Sequence, residues 1–140
     1  MKRKNVLNNI KLVPVYIVFL PIWAFAGLGK FFGPGVPPQF VEMFSKTFIG
    51  KFPGATVAFY QIALLETTAA ALFLISLLCR EFLQNKAKPF LNWAMFVSLL
   101  NFSVLGFGLR VANSNDLATQ LFFYFGATAV IWMYVQKGDQ

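Results

Sequence analysis

The chain has 140 residues, of which 58% are hydrophobic, 18% aromatic and only 12% charged, against about 25% charged in an ordinary soluble domain. Such an apolar excess needs a second solvent. A single cysteine, Cys79, and the absence of histidine exclude, within one chain, a CxxC redox pair, a disulfide, a histidine-ligated haem and a histidine-based metal site.

The N-terminus carries KRK followed by an apolar stretch and Ala24-Phe25-Ala26, which together have the outline of a cleavable secretory signal. Pro14 and Pro21 interrupt that stretch, and its apolar character continues to Phe32. An uncleaved membrane span over about 12–32 is therefore predicted, since about 20 apolar residues cross a bilayer as a helix. The two prolines would each remove a helical hydrogen bond, so this first helix is expected to bend. Near its end AFAGLGKFFGPG places Lys30 among glycines. A cation there is expensive in lipid, and the small Gly27 and Gly29 would let a neighbouring helix come close.

GPGVPP ends the span. A short amphipathic helix follows over about 39–50, with Phe40, Val41, Phe44 and Phe48 on one side and Glu42, Ser45 and Lys46 opposite. Too short to cross, it would lie in the interface or cap the bundle.

The second span, about 55–79, contains Glu66 near its middle, with Ala63 and Ala70 on the same face. Ionisable groups at that depth are rare, face the bundle interior, and mark function or an ion pair. Gln61 lies about one and a half turns nearer the far side, as an intermediate between Glu66 and Lys30. Cys79 is expected to act as a small apolar residue at the end of this helix.

REFLQNKAK makes a short polar turn into the third span, about 89–111, where Ala94, Ser98, Asn101, Leu105 and Gly108 recur at helical spacing as a small and polar stripe. Asn101 lies as deep as Glu66, counted from the facing end. Arg110, close to the helix end, can snorkel to the interface and is an additional candidate for the cluster. ANSND then turns the chain into the fourth span, about 117–135, with Ser114 or Asp116 as its cap. Its few small or polar positions, Thr119, Gly126 and Thr128, make it peripheral.

The expected fold is an all-α membrane protein: a four-transmembrane-helix bundle forming one domain, with a short interfacial helix between the first two spans. The net charge of +7 falls on alternate loops and forms no single patch, so it points to topology and lipid contact in place of nucleic acid. With the termini in the cytoplasm, Lys2, Arg3, Lys4, Lys11, Arg80, Lys86, Lys88 and Lys137 are on the inner side, eight of the 12 basic residues. Lys30, Gln61, Glu66 and Asn101 form the candidate intramembrane polar cluster.

In the order of these features, Gly27-Leu28-Gly29-Lys30 ending the first span, an apolar outer connection, and Glu66 in LLETTAAALFLISLLC, the chain resembles the DoxX-like family of small four-span bacterial membrane proteins. An arginine often found early in that family's first span has no counterpart here, where Pro14 and Tyr16 stand. The resemblance implies an inner-membrane accessory or anchor subunit of an oxidoreductase system that is not catalytic alone. A quinone is the candidate ligand, beside Lys30, Glu66 and Asn101, with an oxidoreductase protein as partner. The alternative from the residues is a small proton-coupled transporter using Glu66. An integral-membrane glutathione-type transferase is disfavoured, because Thr67 and Thr68 stand where an arginine would be required beside Glu66.

Overall fold

A computed structural model describes residues 2–137, with side chains from Val6 onward. The side chains of Lys2, Arg3 and Lys4, counted above among the basic residues, lie outside that range. Seven helices are present among the described residues: α1 (Lys2–Ile10), α2 (Val13–Phe32), α3 (Pro38–Phe44), α4 (Phe48–Lys51), α5 (Ala55–Leu78), α6 (Pro89–Val111) and α7 (Asn115–Lys137). Four helical stretches are long and apolar enough to cross a membrane: Val6–Phe32, which joins the end of α1 to α2, and then α5, α6 and α7. The protein is an all-α four-helix membrane bundle.

Cross-helix contacts define the arrangement. Tyr16 meets Ser76 and Lys30 meets Glu66, so α2 and α5 run antiparallel. Trp23 meets Ser98, and Asn92 of α6 meets Trp132 of α7. Successive spans therefore alternate in direction, and both ends of the described residues lie at one end of the bundle. The main packing follows chain order, α2 on α5, α5 on α6, α6 on α7.

The core is built from Tyr16, Phe19, Trp23, Phe73, Leu91 and Met95. Phe19 and Phe73 stack with centroids 5.5 Å apart, and Trp23 lies 5.0 Å from Phe102. Outside this core the large side chains point away from the bundle, among them Phe25, Phe32, Phe122 and Phe123, as lipid-facing surface requires.

Two prolines act differently. Pro14 falls in the first turn of α2, where an amide N–H has no helical acceptor, so contrary to expectation no bond is lost. Pro21 alone is internal, and the helix continues through it.

The segment expected as one amphipathic helix is divided. Ser45 Oγ donates to Glu42 O and Thr47 Oγ1 to Phe44 O, and these hydroxyls take carbonyls that would have continued the helix. The result is α3, a bend and α4. Phe44 is buried, with its ring 3.5 Å from where a side chain on Gly108 would begin. Phe40 packs on Phe44 and Phe59. The segment caps the bundle, while Val41 and Phe48 face outward.

Both tight turns use left-handed residues. At the end of α5, Arg80 (φ 57) lets its N–H reach Leu77 O while the Glu81 N–H reaches Ser76 O. At the end of α6, Asn113 (φ 60) does the same, with Ser114 N–H on Leu109 O. These paired bonds close helix ends that usually rely on glycine. Of the two expected caps for α7, Ser114 holds the position before the first residue, its carbonyl accepting from Ala118 N–H, while Asp116 lies inside the first turn.

Candidate functional site

An ion pair lies toward the bundle end opposite the termini. Lys30 Nζ donates to Glu66 Oε2 at 2.7 Å and also to Ala26 O at 3.3 Å. Glu66 is 3% exposed, and the Lys30 side chain is 24% exposed. The charge pair is thus closed on the carboxylate side and partly open at the ammonium. The Phe59 ring stands 5.9 Å from Lys30 Nζ, and through Phe40 and Phe44 it continues into the α3 cap.

Gly27 makes this pairing geometrically available. A Cβ at Gly27 would overlap Thr67 Oγ1 and come within 2.7 Å of the Thr67 backbone N. Helices α2 and α5 therefore touch backbone to backbone one turn from Lys30, and the lysine arrives level with Glu66. Gly29, expected to serve the same purpose, has nothing within 4 Å of its Cβ position. It lies on the outward face.

The other predicted members are placed apart. Gln61 is exposed on the outer surface of α5, because its position on the helix turns it away from the Ala63, Glu66 and Ala70 face. It does not bridge Lys30 and Glu66. Asn101 is fully buried on α6, and among the described residues neither of its amide atoms has a hydrogen-bond partner. Arg110 is exposed and donates from Nη1 to Asn115 Oδ1 at 3.0 Å, which ties the α6–α7 turn and keeps it away from the ion pair.

A second polar network, at the end bearing the termini, was not anticipated from the sequence. Ser76 Oγ donates to Glu81 Oε2 at 2.7 Å, so the 2.7 Å contact between Tyr16 and Ser76 has the tyrosine hydroxyl as donor. The same carboxylate accepts the N–H groups of Phe90 and Leu91, at 3.2 and 2.7 Å. Glu81 is 3% exposed.

Helix α6 opens with Lys88 in the capping position and makes no side-chain cap. Glu81 supplies the missing acceptor from the preceding loop, and a negative charge at a helix N-terminus is also favoured by the dipole. The sequence signal was present: an acid among apolar neighbours, Glu81-Phe82-Leu83, shortly before Pro89. Lys88, assigned to the inner basic loop, is itself buried, and its Nζ donates to Lys86 O at 3.0 Å.

Two tryptophans complete the polar contacts. Trp23 Nε1 donates to Ser98 Oγ at 2.8 Å, and Ser98 Oγ donates to Ala94 O. Trp132 Nε1 donates to Asn92 Oδ1 at 2.8 Å. Cys79 is a free thiol exposed at the end of α5. Comparison with family models, with curated proteins and with solved structures yields no match.

Proposed function

We propose that this is a DoxX-like integral protein of the inner membrane, acting as an accessory or anchor subunit of a membrane oxidoreductase system, with both termini cytoplasmic. The observation that carries the reading is the closure of Glu66 by Lys30 at 2.7 Å. A mid-membrane carboxylate with its own fixed counter-ion holds two helices together. A carrier group would need to meet water, and Glu66 is almost fully enclosed. The small connecting loops leave the lipid-facing helices as the main surface for contact with a larger assembly. A quinone is the ligand in keeping with this role, its carbonyl oxygen suited to the partly exposed Lys30 ammonium.

Purification of the intact protein from its own membrane in mild detergent tests this directly. A co-purifying oxidoreductase polypeptide, with quinone in the organic extract, is the expected result. A protein that is fully functional alone overturns it. The transporter alternative has its own readout: reconstituted vesicles showing proton-coupled flux that vanishes in Glu66→Gln would replace the anchor reading.

A further inference from the structure

The main packing runs α2 on α5, α5 on α6 and α6 on α7, which leaves the seam between α2 and α7 open. A groove of about 420 Å³ lies in that seam, at the end bearing the termini. Val15 and Phe19, 8% and 4% exposed, form its floor, and Val18 and Val130, 51% and 66% exposed, stand at its rim. Lys11 and Tyr134 line the same groove, with Lys11 Nζ 6.0 Å from the centre of the Tyr134 ring. Among the described residues this ammonium has no ion pair and no hydrogen bond.

Charge and width together select the occupant. A cation at the mouth of an apolar groove is best matched by an anion that can accept from it. The acids among the described residues do not supply one. Glu66 and Glu81 are enclosed in contacts of their own, while Glu42 and Asp116 lie at the opposite end of the bundle. Two copies in one membrane share orientation, so a second copy brings none of these four acids to the level of Lys11. The groove is also too slender for another helix. Along the rise of about 12 Å from Lys11 to Phe19 its volume corresponds to a cross-section of about 35 Å², against about 80 Å² or more for a helix with its side chains.

We propose that this groove is a binding site for one anionic phospholipid, its phosphate held by Lys11 Nζ and the Tyr134 hydroxyl, with an acyl chain laid over Val15 and Phe19. Basic sites between spans hold anionic head groups in this way, and an interfacial tyrosine turns its ring to hydrocarbon and its hydroxyl to the head group. Lys137, exposed at the same end of α7, adds positive charge near the mouth. The lipid fills the seam that helix packing leaves open, and the Lys30–Glu66 pair, toward the other end, takes no part.

Native mass spectrometry of the delipidated full chain in mild detergent, titrated with phosphatidylglycerol or phosphatidylcholine, tests the site. One phosphatidylglycerol per chain is expected to be retained at concentrations where phosphatidylcholine is not. Lys11→Gln should weaken phosphatidylglycerol about five-fold and leave phosphatidylcholine unchanged. Lys51→Gln, which removes a cation on α4, should change neither. Val18→Trp, at the rim, should obstruct the groove and weaken both lipids; Val130→Trp, on the facing helix, repeats that measurement if the first variant does not fold. Equal retention of the two lipids, equal effects of Lys11→Gln and Lys51→Gln, no effect of the tryptophan, or a dimer of the chain in place of the lipid adduct would each overturn the proposal.

Discussion

Lys30 and Glu66 are an unequal pair: the carboxylate is enclosed while the ammonium is partly reachable. Removing one partner of a buried pair leaves the other uncompensated, whereas replacing both is often tolerated. Lys30→Met is expected to destabilise the bundle by about 3 kcal/mol, and Lys30→Met with Glu66→Leu to recover most of that loss; thermal melting in detergent would read both. Asn101 presents the opposite case. Both its amide atoms lack partners among the described residues, so Asn101→Leu removes a desolvation penalty of about 1–3 kcal/mol and should leave stability unchanged or raised. A clear fall in melting temperature would mean that a bound group satisfies the amide. Of the four residues that depth reasoning grouped, Lys30 and Glu66 meet, Asn101 is buried but bonds to neither, and Gln61 turns outward. Helical position decides which side of α5 a residue faces, and depth alone carries no such information.

At the scale of elements, the α2–α5 contact rests on one glycine and the α5–α6 turn on one acid. Gly27→Ala pushes a methyl against the Thr67 backbone, and main chain cannot yield as a side chain does. It is expected to cost about 1–3 kcal/mol, while Gly29→Ala should be neutral or gain up to about 1 kcal/mol from helix propensity. Unfolding of the two variants side by side separates packing from propensity. Glu81→Ala strips an acceptor from Ser76 and from two α6 amides, and should lose about 2 kcal/mol or more. Combined with Tyr16→Phe the loss should be less than additive, because the two side chains belong to one network. The spans were legible because apolar length is a strong signal, and their ends follow the turns at 79–88 and 112–114. The Glu81 anchor was not legible in the same way, since it joins residues 16, 76, 81 and 91, which only the folded hairpin brings together. The broken α3–α4 segment was read as one helix because apolar spacing says nothing of hydroxyls competing for carbonyls.

For the whole molecule, the alternating spans place the termini and the 79–88 turn at one end, and the α3–α4 cap at the other. The basic excess at the first end is expected to hold it in the cytoplasm. Reporter fusions at both termini should be active only when the reporter works inside the cell, and a periplasm-active fusion at either end would reverse the orientation. The bundle is also uneven in burial: α7 has its main packing against α6 alone and shows the least buried surface of the four spans.

The match between packing order and chain order bears on how the protein is made. As each span leaves the ribosome, its principal partner is the one already in the membrane, and the Gly27 contact and the Glu81 anchor can both close before α7 is synthesised. The Lys30–Glu66 pair closes within the first hairpin, whereas the Trp23 indole waits one span longer for Ser98 of α6. Assembly can therefore proceed as a zipper during insertion, with α7 added last to a core that already holds its ion pair.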